Sequence, residues 1–303
     1  MKTEENTVSH TVNRRKRLGY MYMIPSLVIL AVFVIYPVIY GAVTSLYDWD
    51  WVAGIDKKLF VGLGNYLQIF SDRLFWNALK NTVIFAVLSL LAEFVLGLCC
   101  AMLLYKIKKG GVIFRTVLIF PLTISDMVAA IMWRMMLDPA SGVVNQMLRS
   151  IGLKPVDWLG NANIVIFTLV LVEVWWMTGN ITLIMLAGLQ SMPIDQLECG
   201  QIDGANSWQR FRYLQWPHLR SFAESALSLR MIDLLRVFAI AWAVTQGGPN
   251  RASEVSQQYI YTNGLGGYLD IGYSIAMAIL FSVFVVAIVA VIKRIIRIGG
   301  DNE

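Results

Sequence analysis

Apolar residues in this chain come in long runs, and run length rather than periodicity identifies the elements. A helix crossing a bilayer needs about 20 largely apolar residues, because the hydrocarbon core is roughly 30 Å thick and each residue rises about 1.5 Å. Six stretches meet that requirement, and they predict spans at Tyr20–Leu46, Ala78–Tyr105, Ile113–Leu137, Ile164–Leu189, Phe222–Thr245 and Ile271–Ile292. The first follows Arg14-Arg15-Lys16-Arg17. Its apolar run is far longer than the core of a signal peptide and ends without a small-residue cleavage site, so it reads as a retained helix. Between the fourth and fifth spans lies a polar connection from about 190 to 220, much longer than a helical hairpin needs, and long connections in compact proteins usually carry function.

Composition agrees with the pattern. Of 303 residues, 57% are hydrophobic and 15% charged, where soluble domains carry about 25% charged residues. Mean hydropathy is +0.61. A disordered chain, a disulfide scaffold and a free cytosolic enzyme are thereby excluded. Cys99, Cys100 and Cys199 have neither the number nor the spacing of a zinc site or disulfide framework. The net charge of +5 matters through its placement. Fifteen of the 25 Lys and Arg residues fall in the N-terminal tail, the 105–116 loop, the 190–220 loop and the C-terminal tail, against six in the other three loops. By the positive-inside rule, both termini and those two loops are cytoplasmic. The fold class predicted is all-α, with a cytoplasmic tail at 1–19, a six-helix membrane domain at 20–292 and a second cytoplasmic tail at 293–303. The basic clusters fit topology and contact with anionic membrane lipid, not nucleic acid.

Within the long loop, Pro193, then acidic Asp195, with Ile194, Leu197, Gln201 and Ile202 at helical spacing, predict a short amphipathic helix ending near Gly204. A second helical piece through Phe211 and Leu214 leads to Pro217, which restarts the chain towards the fifth span.

Glu198, Asp203-Gly204-Ala205, Phe211 and Pro217 resemble the EAA loop of binding-protein-dependent ABC importer permeases. Cys199 and Gly200 stand where the motif has two alanines. The resemblance covers nearly the whole chain and is closest to the sugar-importer, maltose-transporter-like branch. Phe60-Val61-Gly62-Leu63-Gly64-Asn65-Tyr66 and Phe75 to Thr82 look like its first external loop and the start of its second helix. Thr245-Gln246-Gly247-Gly248-Pro249, Gln258 to Tyr261 and Gly272-Tyr273 look like its fifth-helix exit and the approach to its sixth. The resemblance implies the type I ABC importer permease fold. It implies a second homologous permease subunit in a heterodimer, two ATP-binding cassette subunits and an extracytoplasmic solute-binding protein that delivers a sugar. Glu198, Asp203, Gly204, Ala205, Phe211 and Pro217 would then couple the membrane helices to the ATPase. ATP and Mg would be bound by that ATPase, with no cofactor in this chain.

Charges within the spans are expensive, about 2.5–3.5 kcal/mol at a helix centre, and by default face a cavity or a partner. Glu224, Glu93 and Arg134 read as snorkelling or pairing between helices. Glu173 lies near mid-depth of the fourth span with Trp176 and Asn180 on the same face, and Arg230, Asp233, Leu234 and Val237 form a stripe at matching depth on the fifth. Aligned on the family pattern, these seven positions resemble those lining the sugar cavity. An aromatic face with carboxylate, amide and guanidinium groups suits a polyol. The competing reading is that Glu173 or Asp233 pairs with Arg230 or Arg236 across helices. Arg230 and Arg236 also leave a phosphorylated polyol open as cargo, and mid-membrane charges alone would equally serve an ATP-independent secondary transporter. The chain has no phosphate-cradling G-x-x-x-x-G-K-[ST] loop and only two histidines, His10 and His218. Neither ATP hydrolysis nor His-based or metal catalysis within the chain is therefore predicted.

Overall fold

Because a helix satisfies its own backbone hydrogen bonds, an apolar run of some 20 or more residues can cross a membrane as one element. A computed structural model of the chain describes residues 22–50, 58–107 and 109–298. Among these, four helices have the length and apolarity to cross a membrane: α1 (Tyr22–Thr44, with a π-helical turn at Ala31–Ile35 that accommodates Pro37), α3 (Arg73–Lys106), α7 (Val165–Ser191) and α13 (Ile271–Ile298, apolar over Ile271–Val291). Predicted spans one, two, four and six thus stand, with α3 starting five residues early and α13 continuing through the expected tail boundary at 293. The predicted tail at 1–19 lies outside the described residues.

The other two predicted spans are broken. In the third, α4 (Gly111–Ile119) passes through a 3₁₀ turn at Phe120–Thr123 and meets α5 (Asp126–Met136) at 96°. Pro121 is the sequence cause, since it lacks an N–H and its ring clashes with the preceding turn. In the fifth, α10 (Trp216–Leu235) ends at Arg236, and α11 (Ala239–Thr245) starts after Phe238 leaves helical geometry at φ −139°, ψ −60°. Counting the bent pair as one, the described residues hold five spans by length and composition; α10 with α11 is compatible with a sixth.

Shorter elements complete the chain: a two-stranded antiparallel ribbon, β1 (Tyr47–Asp48) with β2 (Leu59–Phe60), then α2 (Gly64–Ser71), α6 (Val143–Ser150), α8 (Ile194–Ile202), α9 (Ser207–Arg210) and α12 (Ser256–Gly264). The chain falls into two compact units, one within 1–69 together with 263–279, the other within 70–262 together with 280–303. In the first, Asp50 bridges to Asp270, and the N–H of Ile271 donates to the Trp49 carbonyl at 2.9 Å. In the second, α3, α7 and α10 pack together, with Phe85, Leu169, Val172, Leu234 and Leu235 in a shared apolar core. Over its most apolar stretch α7 is 61% buried, which makes it the central helix of this unit. For α1 the figure is 6%. That surface needs lipid or another chain.

Candidate functional site

Each predicted stripe sits on its expected helix. Glu173, Trp176 and Asn180 lie on α7, and Arg230, Asp233 and Leu234 on α10, with Val237 in the break that follows. Glu173 and Arg230 are brought into contact. The Arg230 guanidinium also reaches α3, where Nε donates to Glu93 Oε2 at 2.7 Å and Nη2 to Glu93 Oε1 at 2.9 Å. Nη2 is shared with Oε1 of Glu173. All three residues are buried, Glu93 completely. One arginine therefore ties together three helices, and each carboxylate has a charged donor, which a low-dielectric interior requires.

The remaining positions diverge. The Trp176 indole N–H donates to the Ile124 carbonyl at 3.0 Å, so it satisfies a backbone acceptor in the broken third span. Trp176 can offer a ligand only the face of its ring. Asn180 is half-buried and Asp233 exposed. Leu234 is 1% exposed within the apolar core, and Val237 packs against the same cluster. In this conformation Leu234 presents no surface to a ligand.

Two further features shape the site. Glu93 pairs between helices as expected, and its partner is Arg230, which it holds bidentately. Beside the break after α10, Phe238 stacks on Trp242 with centroids 5.9 Å apart, and Tyr261 meets both edge-on at 5.3 and 5.4 Å. The sequence signal was available in the i, i+4 spacing of Phe238 and Trp242.

The long loop folds into two short helices joined by a tight turn. Its first helix, α8, has no buried residue and ends at Asp203. Gly204 adopts φ +77°, and the Ala205 N–H returns to the Gly200 carbonyl at 2.9 Å, closing the helix with a left-handed cap. Asn206 then caps α9 reciprocally with Gln209. Helix continues through a π-helical turn at Phe211–Gln215 straight into α10. Pro217 is thus inside a continuous helical rod, contrary to the expected restart. The Trp216 N–H bonds five residues back to the Phe211 carbonyl, and this wider turn accommodates the proline that follows. Gly200 lies close to Leu214: a β-carbon there would come within 2.8 Å of Leu214 Cδ1. Among the six predicted coupling positions, Glu198, Asp203, Gly204 and Pro217 are exposed, while Ala205 and Phe211 are half-buried. Ile194, Ile202, Trp208 and Tyr213 are 66%, 85%, 69% and 73% exposed, an apolar set that a lone chain would leave in water.

Two further motif segments, far apart in sequence, meet in one seam of the second unit. Asn77 and Asn81 donate to the Arg251 carbonyl, and Asn81 also to that of Glu254. The Ser256 N–H donates to the Thr82 hydroxyl at 2.8 Å, and the Tyr259 hydroxyl to Asp72 at 2.6 Å. Burial pushes the Glu254 carboxyl above the usual carboxylate range, against the pull of Arg251 at 3.2 Å.

Residues 93–297 match the family of binding-protein-dependent transport system inner membrane components. The chain belongs to that family. It is a permease subunit of a binding-protein-dependent ABC importer, embedded in a membrane and without catalytic function of its own. It is 36% identical to a trehalose/maltose transport system permease protein of Thermococcus litoralis over 98% of this chain and all of that one. An sn-glycerol-3-phosphate transport system permease protein of Agrobacterium fabrum is 31% identical over 91% and 93% of the two chains. Among solved structures, a bacterial ABC transporter involved in the import of the acidic polysaccharide alginate aligns with TM-score 0.80 at 25% identity, covering 94% of this chain and 96% of that one. The expected type I importer permease fold is thereby established, and the ATP-independent carrier is set aside.

Proposed function

We propose that this permease carries a sugar, an oligosaccharide, glycoside or polyol delivered by an extracytoplasmic binding protein. It works beside a second, homologous permease and two ATP-binding cassette subunits, with ATP and Mg held by the ATPases. Both termini and the 190–220 loop face the cytoplasm of a bacterial cell, consistent with the distribution of Lys and Arg. The observation that carries the coupling assignment is the exposed α8–α9 projection, capped at Gly204 and continuous through a helical rod with α10. A displacement of α8 by the ATPase is transmitted along that rod toward Arg230. Glu198, Asp203, Gly204, Ala205, Phe211 and Pro217 form or brace the docking element.

The cargo faces the stretch from Glu173 through Trp176 to Asn180 on α7, and Arg230, Asp233 and Leu234 towards the C-terminal end of α10 with Val237 in the break that follows. Exposed Asp233 and half-buried Asn180 supply hydrogen bonds to hydroxyls, and the Trp176 ring supplies an apolar face. Leu234 and Val237 become available when the helices move. The sugar-permease relatives support this cargo class.

The deciding experiment is gentle purification of the tagged chain from its own host beside a Gly204→Asp variant, with identification by mass of what accompanies each. A stoichiometric ATPase and second permease, lost from the variant, is the expected result. Wild-type chain that purifies alone overturns the assembly; partners retained equally by both proteins overturn the coupling role of the loop.

A further inference from the structure

Relatives of this permease are named for neutral cargo, trehalose or maltose, and for anionic cargo, sn-glycerol-3-phosphate. Similarity alone does not separate the two, but the charges around Arg230 do. As a free side chain in the pathway, Arg230 would be an anion-binding group, since guanidinium is the preferred partner of phosphate and carboxylate. It is not free. Glu93 occupies Nε and Nη2 bidentately, and Glu173 takes a further bond from Nη2. Two carboxylates on one guanidinium leave the buried cluster with a formal charge of −1, or zero with a proton on one acid, and in neither state is it cationic.

The surroundings add to this sign. After Arg230, the charged groups acting on Glu93 and Glu173 are each acidic, Asp233 on the former, Glu93 and Asp126 on the latter. Asp233 is exposed and Asp126 half-buried, the latter accepting from the Met127 N–H at 2.8 Å and the Ser125 hydroxyl at 3.2 Å. Two cations lie on the adjoining segments: Arg134 is exposed with Nη1 donating to the Ala243 carbonyl at 3.4 Å, and Arg236 is exposed just beyond the last turn of α10, so acids outnumber bases in this set by one formal charge. In a low-dielectric setting a one-sign excess of this kind is weakly screened and is felt along the pathway.

We propose that the Glu93–Arg230–Glu173 cluster, with Asp126 and Asp233, makes this half of the translocation pathway electronegative, so that it passes neutral or cationic polyols and turns away sugar phosphates and uronates. This rests on the assignment of the Glu173–Asn180 face to the pathway. The test uses the complete reconstituted transporter with Cys99, Cys100 and Cys199 replaced by serine and its partner subunits free of cysteine. Asn180→Cys is compared with Ala162→Cys, an exposed loop position. Each is reacted with a cationic trimethylammonium-ethyl and an anionic sulfonatoethyl methanethiosulfonate.

The cation-to-anion rate ratio at position 180 is expected to exceed that at 162 by about tenfold, and to fall towards it in Glu173→Gln and, independently, in Asp233→Asn. Glu173→Gln leaves Arg230 paired with Glu93, and Asp233 is exposed, so neither substitution removes the cluster's main ion pair. Equal ratios at the two positions, or a preference for the anion at 180, overturn the charge inference and leave the pathway reading standing. A thiol at 180 that reacts with neither reagent overturns the pathway reading, and the inference falls with it.

Discussion

Glu93 on α3 grips Arg230 on α10 through two parallel hydrogen bonds, at 2.7 and 2.9 Å, with both side chains buried. Planar, bidentate geometry of this kind is among the strongest polar contacts a protein makes. Glu173 has a single bond to the same guanidinium. The two carboxylates are therefore unequal, and substitutions should separate them.

Arg230→Met leaves two buried carboxylates without a counter-charge and is expected to destabilise the unit by about 3–5 kcal/mol. Glu173→Gln keeps the bidentate pair and can still accept from Nη2, so its cost is well below that of Arg230→Met. Thermal unfolding of the purified complex in nanodiscs checks the order. An Arg230→Met protein that melts with the wild type removes the structural role of the cluster.

The break in the third span has its own seat on α7. A β-carbon at Gly179 would collide with the Leu118 carbonyl oxygen, and three residues earlier Trp176 donates to the Ile124 carbonyl. α7 thus approaches backbone on both sides of Pro121, at Leu118 and at Ile124. Gly179→Ala should cost about 1–3 kcal/mol, because backbone rather than a flexible side-chain end must move. Trp176→Phe keeps a ring but loses one hydrogen bond, a cost of about 1 kcal/mol. If Trp176 also stacks on cargo, Trp176→Phe retains more uptake than Trp176→Ala at matched complex abundance; equal loss in both variants assigns the residue to the break alone.

Sequence and structure agree where one physical signal dominates. The unbroken spans were legible because length and apolarity suffice, and the end of α8 because Gly204 meets the need for positive φ. Arg230 and Glu173 were expected to face each other from matching depth on adjacent spans. Glu93 was not joined to them, because nothing in a linear sequence tells which face of α3 turns toward α10. Hydropathy also passed over the breaks: Phe120-Pro121-Leu122 is apolar throughout, and Arg236-Val237-Phe238 contains neither Gly nor Pro. Pro121 is the local signal for the first break, set within an otherwise unbroken apolar run. Pro217 was over-read as a boundary, since the π-helical turn before it absorbs the missing donor.

Gly204 separates backbone effects from contact effects. Its φ is +77° and a β-carbon would touch nothing within 4 Å, so the cost of substitution is conformational, about 1–2 kcal/mol for an ordinary L-residue. Gly204→Asn, which tolerates this region better, should retain more transport-coupled ATPase activity than Gly204→Val, with both variants still inserted in the membrane. The check is ATP hydrolysis stimulated by the loaded binding protein. Wild-type stimulation in Gly204→Val would show that the turn geometry is dispensable.

Asp270 gives the first unit a pH dependence of determinable sign. Burial pushes its carboxyl above the usual range, and the nearby carboxylates of Asp48 and Asp50 push the same way, against a hydrogen bond donated by the Tyr273 N–H. A carboxyl whose value is raised on folding penalises the folded state when ionised. The penalty is fully present above the raised value, declines as pH falls through it, and is gone below the unfolded value of about 3.9. Asp270→Asn keeps an oxygen for the Tyr273 N–H at 3.1 Å and removes the charge. The variant should therefore melt above the wild type at neutral pH, with the difference shrinking steadily as the medium is acidified. Using that difference cancels the opposite trend from Asp138, which hydrogen bonds from the Ser141 and Ala140 amides and the Ser141 hydroxyl hold below the usual range. A gap between Asp270→Asn and wild type that widens on acidification would reverse the sign and show that the ionised carboxylate stabilises the Asp50–Asp270 bridge.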